Sequence, residues 1–384
     1  MSGKDVFQKK IVMIAGEASG DLHGANLADA LYNKRTDIKI MGIGGDRMKE
    51  AGVDLICDIG DLGVVGISEV ISHFRSIKKA YFSVSSLLKR DKINLLILID
   101  YPDFNLRVAK VAKSKGIPIL YYISPQVWAW REGRVSKIAR LIDKMVVILP
   151  FEKEIYQKNG VDCEFVGHPL LDEMVFDRNK ESICKEFGLD LKRPSIVMLP
   201  GSRKNEVNTL LPIILDSMLM LKKENNDLQF LLAVAPSIEI EEIMTIIVKY
   251  PSLDIKLAMG ESNKAFYVAD YVVTASGTAT LQAAIFEKPM VIIYKVSLIT
   301  YIIGRLLIKT ENIGLVNIVA RKSIVPEFIQ YDAIPENISG ALLKMLHDSS
   351  YVKWIKNELS MIKKRLGSPG ISVRVADIAM KFIK

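Results

Sequence analysis

The sequence predicts an α/β protein made of two Rossmann-like, doubly wound lobes facing a cleft. Short apolar runs of strand length alternate with longer stretches of helical periodicity, the pattern of parallel sheets wrapped by helices. The alternation runs from Ile11 to Leu149, halts near His168-Pro169 and restarts at Ile196. The chain has 384 residues, more than the ~250–300 that one hydrophobic core usually serves. Residues 1–170 are therefore expected to form the first lobe and 171–350 the second, with an amphipathic helix in 351–384 that packs back on the first.

Each element has its own signal. Ile11–Ala15 reads as a buried strand, Asp21–Tyr32 as the helix after it and Ile38–Gly42 as the second strand. Leu95–Ile99 is unbroken apolar sequence closed by Asp100, as expected of a central parallel strand covered on both faces. Pro118–Ile123 and Met145–Leu149 continue that sheet. Past the halt, Ile196–Leu199, Phe230–Val234, Ile255–Ala258, Tyr271–Thr274 and Met290–Tyr294 are five further strands with helices between them. Val352–Lys384 has the periodicity of one amphipathic helix.

Composition bounds the function. Hydrophobic residues at 49% and charged residues at 25% mark a globular chain rather than a disordered one. A formal net charge of +8 favours anionic partners. No helix-turn-helix, zinc or RNA-recognition signature accompanies it, so nucleic acid is set aside. Cys57, Cys163 and Cys184 fit no metal or disulfide spacing and read as reduced thiols of a cytoplasmic protein. Residues 1–10 are polar and the apolar run after them stops at Gly16-Glu17, too soon for a signal peptide. Val291–Ile308 is interrupted by Lys295 and Arg305, so no spanning helix is expected.

Chemistry concentrates in the turns after strands. Ala275-Ser276-Gly277-Thr278 opens a helix at the carboxyl end of a strand, where free backbone amides and a helix dipole can hold a phosphate. Leu199-Pro200-Gly201-Ser202-Arg203 is a second such turn and adds a guanidinium. Two anion cradles on one sheet suggest a diphosphate, hence an activated nucleotide substrate. Asp100 ends an apolar strand at the edge where ligands bind in such sheets, and partial burial there would raise its pKa and suit it to general base catalysis. Asp103 has a plainer role as N-cap of a helix starting at Phe104.

Gly16-Glu17-Ala18-Ser19-Gly20-Asp21 is not G-x-G-x-x-G, and its two acids would repel a phosphate. It reads either as a tight turn or as a floor of small residues, Ser19 and Gly20 among them, beneath an acceptor sugar, with His23 and Asn26 beside it. Trp128 and Trp130, next to Pro125 and Arg131, either plug an interface or flank a sugar or acyl chain. Val64, Val65 and Ile67 are apolar residues in a loop, and with the basic helix after them they suggest a membrane surface or a groove for lipid tails, against plain core packing. Ser297–Lys309 is a second stretch of that kind. No D-x-D occurs, so no obligatory metal and no other cofactor is expected.

These motifs converge. AGEASGDLHGA (15–25), VVGISEV (64–70), IDYPDFN (99–105), YYISPQVWAWREGRV (121–135), LPFEKEIYQKNGV (149–161), FVGHPLLD (165–172), LPGSRKNEV (199–207), ASGTATLQAA (275–284) and KTENIGLVNIVA (309–320) resemble, in order, the lipid-A-disaccharide synthase family of GT-B glycosyltransferases. The resemblance implies a first lobe that faces acceptor and membrane and a second that binds the UDP-sugar. It implies UDP-2,3-diacylglucosamine as donor and 2,3-diacylglucosamine 1-phosphate as acceptor. The product would be a β-1,6-linked disaccharide 1-phosphate, formed with inversion.

By the same match Asp100 is the candidate base. Arg203, with Ser202 and Glu206, and Ser276, Gly277 and Thr278 are candidate diphosphate ligands, and Asn317 is placed in the donor pocket. One position departs from the pattern: Gln282 stands where the family usually has a glutamate that bonds the ribose. An amide there forgoes a charge-assisted bond, worth about 1 kcal/mol. Two diacylated substrates imply peripheral attachment to the anionic cytoplasmic face of the inner membrane. A homo-oligomer is left open. The rival readings are another UDP-sugar transferase or a 2-epimerase on the same fold, and a two-lobe sugar-phosphate binding protein that needs no base at Asp100.

Overall fold

The computed structural model describes residues 9–59, 69–125 (backbone alone at 69–74), 135–174, 178–297, 301 and 312–383. The chain divides into two compact units: Met1–Asp172 with Leu366–Lys384, and Glu173–Arg365.

Unit 1 is built in the order β1 (Lys9–Ala15), α1 (Ala18–Lys34), β2 (Ile38–Gly44), α2 (Asp46–Glu50), β3 (Asp54–Asp58), α3 (Glu69–Arg90), β4 (Leu95–Ile99), α4 (Pro102–Ser114), β5 (Ile119–Tyr122), α5 (Val135–Ala139), β6 (Lys144–Val147), α6 (Pro150–Lys158), β7 (Cys163–Phe165) and α7 (Leu170–Glu173). Its parallel sheet runs β3-β2-β1-β4-β5-β6-β7. Every residue of β4 is fully buried, which is why its sequence carries no polar position. Ala15 pairs with Ile99 and Ile99 with Tyr122, so the loops after β1, β4 and β5 leave the sheet at one level.

Unit 2 continues with α8 (Lys180–Glu186), β8 (Ser195–Leu199), α9 (Lys204–Glu224), β9 (Gln229–Val234), α10 (Ile240–Ile247), β10 (Ile255–Met259), α11 (Ser262–Val268), β11 (Tyr271–Ala275), α12 (Ala279–Ile285), β12 (Met290–Tyr294), α13 (Leu315–Ala320), β13 (Glu327–Ile329), α14 (Pro335–His347) and α15 (Ser349–Arg365). Its parallel sheet runs β10-β9-β8-β11-β12-β13. Thr274 pairs with Leu199 and Ala275 with Ile293, which again levels the three loops that follow.

All ten strands read from the sequence are present. The sheets also hold β3, β7 and β13, each at or toward a sheet edge, short and mixed in burial, so none produces an apolar run. The carboxy-terminal segment differs from expectation. It is two helices, α15 in unit 2 and α16 (Ile371–Met380) in unit 1, broken at Gly367-Ser368-Pro369-Gly370, where both glycines have positive φ.

α16 packs on α1. Asp172 accepts from the Gly370 and Ile371 amides at 2.6 and 3.0 Å, satisfying the open end of α16. Lys34 pairs with Asp377 at 2.7 Å, and the Arg35 guanidinium donates to the Ile383 carbonyl at 2.8 Å. Asp172→Ala leaves two amides without their acceptor. The expected result is a loss of about 2 kcal/mol from unit 1, read as a lower urea midpoint of the unfolding transition that exposes α16.

Candidate active site

In each unit the first strand lies inside the sheet, the second and third strands lie to one side and the fourth to the other. The winding therefore reverses between β1 and β4 in unit 1 and between β8 and β11 in unit 2. Helices leave such a strand pair toward opposite faces, and the carboxyl ends open into a crevice. All four turns picked from the sequence follow these four strands: 16–21 after β1, 100–105 after β4, 200–203 after β8 and 276–278 after β11.

The unit 1 edge is built on an unusual backbone. Asp100 and Tyr101 both have φ of 46°, and Ile123, at the end of the neighbouring β5, has φ of 64°. Left-handed geometry at a non-glycine residue costs about 1–3 kcal/mol and persists only where the surroundings enforce it. Tyr101 lays its ring over Gly16, where any Cβ would collide with it. Pro102 takes the first turn of α4 with Tyr101 as the cap residue, so Asp103 lies inside the helix instead of capping it. The Asp100 carboxyl is pushed up to about 6, first by burial and then by the negative charge of Glu17.

The residues of the first turn divide. Ser19 and Glu17 are exposed at the start of α1. Gly20 is buried, with a Cβ position 3.3 Å from that of Ala15, so it allows close helix–strand packing. Asp21 is buried and turned away, accepting from the amides of Gly45, Arg47 and Met48 at 2.6, 3.1 and 3.1 Å. His23 stands edge-on to Tyr122 at 6.4 Å. Burial lowers its pKa to about 4. His168, near enough to feel His23, is lowered to about 3, again mainly by burial. Both rings are therefore neutral at pH 7, and neither offers a cation to a phosphate. Val64, Val65, Ile67, Trp128, Trp130 and Arg131 lie outside the described residues.

In unit 2, Arg203 is largely exposed and pairs with Glu206 at 3.2 Å. Glu206 also accepts from the Ser202 amide at 3.4 Å, so its carboxylate sits at the start of α9 where an anion was expected. Ser276 donates its hydroxyl to the Ile313 carbonyl at 2.9 Å and its amide to Ile293 at 3.1 Å. The amides of Gly277 and Thr278 make no hydrogen bond among the described residues. Gly277 has φ of 150° and open space where a Cβ would be. The helix after this turn, α12, has only seven residues, so the turn's own amides offer an anion more than a helix dipole does.

Two expected donor-pocket residues bond to neighbouring elements of unit 2. Gln282 donates to Asn263 of α11 at 2.9 Å. Asn317 is fully buried with both ends of its amide engaged: Nδ2 on the Val325 carbonyl and Glu327 Oε1 at 2.9 and 2.7 Å, Oδ1 on the Ile324 and Val325 amides at 2.8 and 3.2 Å. Its amide is committed to the framework around residues 324–327. The other oxygen of Glu327 holds the Ile313 amide at 2.8 Å, and Ile313 in turn receives the Ser276 hydroxyl. Asn317 is thus linked to the Ser276–Thr278 turn through Glu327 and Ile313. Tyr294, at the end of β12, feels the charges of both Glu206 and Arg203 and was missed in the sequence, although the strand-end rule that selects Asp100 applies to it too.

The family model of lipid-A-disaccharide synthetase matches residues 11–375. The chain belongs to the lipid-A-disaccharide synthetase family. It is 45% identical over 376 residues to the lipid-A-disaccharide synthase of Syntrophus aciditrophicus, covering 98% of each chain. It is 38% identical over 375 residues to that of Coxiella burnetii, covering 98% of this chain and 99% of the other. Among solved structures it resembles the UDP-GlcNAc 2-epimerase of Neisseria meningitidis bound to UDP-GlcNAc, with a TM-score of 0.67 at 12% identity over 97% of this chain and 100% of the other. The glycotransferase of kitacinnamycin gives a TM-score of 0.65 at 14% identity over 98% and 99%. These two likenesses establish the two-lobe Rossmann-like fold alone. Family membership makes the chain a glycosyltransferase.

Asp100 is a costly residue for the fold. With its folded pKa near 6 against an ordinary 3.8, it binds a proton more tightly folded than unfolded. Stability contributed below the ordinary value is lost as pH rises through about 6. Asn tolerates the left-handed backbone and carries no charge. Asp100→Asn is therefore expected to raise stability at pH 7 by on the order of 3 kcal/mol, with no gain below pH ~4, measured by denaturant titration at both pH values.

Proposed function

We propose that the chain is an inverting glycosyltransferase that condenses UDP-2,3-diacylglucosamine with 2,3-diacylglucosamine 1-phosphate to give the β-1,6-linked disaccharide 1-phosphate and UDP. The observation that carries this reading is Asp100, a half-buried carboxyl with raised pKa, held in a left-handed conformation at the switch point of unit 1 of a chain in this family. The Asp100 carboxylate takes the proton of the acceptor 6-hydroxyl as its oxygen attacks C1 of the donor sugar. The bond from C1 to the diphosphate oxygen breaks, and UDP departs with the electron pair. Amides of the Gly277-Thr278 turn and the Arg203 guanidinium receive the departing charge. Glu206 pairs with Arg203 and accepts from the Ser202 amide, so it orients the guanidinium beside the turn that receives the diphosphate.

No described helix is long and apolar enough to cross a membrane. Diacylated substrates reach the chain by its docking at an anionic bilayer surface. α3 supports this, with Arg75, Lys78, Lys79, Lys89 and Arg90 exposed and Phe82 58% exposed among them.

The deciding assay follows UDP release from the diacylated donor with and without the 1-phosphate acceptor. Release that depends on acceptor supports the transferase. Donor turnover indifferent to acceptor, or none at all, refutes it. Asp100→Asn should lower kcat by roughly 10³-fold, within the range of general base catalysis. For the parent enzyme kcat/KM should rise with pH through about 6, because the base acts ionised. Gly277→Ala meets no neighbouring atom but forces an L residue to φ of 150°, so the turn and its two amides must shift: UDP affinity should drop at least ~tenfold in a calorimetric titration. Sedimentation with phosphatidylglycerol vesicles should weaken as salt is raised, and equal binding to neutral vesicles at every salt level would remove the electrostatic part.

A further inference from the structure

We propose that Tyr121 and Asn105 are positioning residues for Asp100, clamping the peptide group on its carboxyl side so that the base cannot leave its left-handed conformation. This rests on Asp100 as the base. A residue's side-chain direction is set by the two planar peptide groups that flank its Cα. The plane before Asp100 is held by the sheet, since the Asp100 amide donates to the Tyr122 carbonyl at 3.1 Å. β4 ends at Ile99, so no strand ladder holds the plane after it. Two buried side chains on separate elements hold it instead. Tyr121 Oη, from β5, donates to the Asp100 carbonyl at 2.5 Å, and Asn105 Nδ2, from α4, donates to the same oxygen at 2.7 Å.

Asn105 Nδ2 also donates to the Ile99 carbonyl at 3.2 Å, tying the last strand residue to the first residue beyond it. The Asn105 side chain is fully buried, and its Oδ1 has no hydrogen-bond partner. Burying an unpaired acceptor is unfavourable, and the orientation is retained because flipping the amide would set its oxygen against two carbonyls. Tyr121 is fully buried as well, so neither residue can touch substrate. With the clamp released, Asp100 is free to return to the extended region, which swings its carboxyl off the strand edge toward water.

Tyr121→Phe removes one donor and keeps the ring. The expected result is a kcat about tenfold lower with KM unchanged for both substrates, and an acid limb of kcat/KM moved below about 6, toward the ordinary carboxylate range. Asn105→Ala, read by the same profile, should move the limb the same way and decides the matter should Tyr121→Phe not fold. A variant that is merely less stable, with the limb and kcat of the parent, overturns the proposal. Asp100→Asn separates the two levels. If it stays fully active, the base assignment itself fails. If it is inactive while the Tyr121 and Asn105 variants keep the parent profile, only the clamp fails.

Discussion

A parallel sheet must send each connection over one of its faces, and a sheet covered on both faces must reverse its winding somewhere. In this chain the reversal falls between the first and fourth strands of both units. At that pair no crossover helix lies over the strand ends, so backbone amides and carboxyl-end side chains meet solvent above buried central strands. The register levels the loops beside each reversal, Ala15 with Ile99 with Tyr122 in one unit and Leu199 with Thr274 in the other. Asp100 owes its partial burial and its shifted titration to this placement, and the Gly277 and Thr278 amides owe it their openness.

Central strands were legible because burial on both faces leaves no polar position, as in Leu95–Ile99. β3, β7 and β13 were not, since strands at or near a sheet edge are half wet and lose the apolar run. The carboxy-terminal helix pair was read as one helix because the periodicity on both sides of Gly367–Gly370 is similar. The two positive-φ glycines were the available signal.

For the site, strand-end position pointed to Asp100 and the two turns, and the motif resemblance to the reaction. Neither showed which motif residues are bound up within the interior. Asn317 and Gly20 sit within matching motifs, yet one has both ends of its amide engaged in the interior and the other packs on Ala15. Asn105 lay inside the quoted motif without a role, because its partner is a carbonyl whose direction only the fold reveals. The lowered titration of His23 and His168 likewise came from the fold, because the burial that causes it is not visible in the sequence.

The closing helix of unit 1 is made after the whole of unit 2. Residues 173–365 are contiguous and hold a complete sheet, so unit 2 has everything it needs before α16 has been synthesised. Unit 1 does not. The face of α1 that α16 covers, and the Asp172 carboxylate that awaits the Gly370 and Ile371 amides, stay open until residues 366–380 have been synthesised. The unit begun first is therefore completed second, and a nascent chain stopped between residues 365 and 371 would carry the whole of unit 2 with a unit 1 still exposing apolar surface.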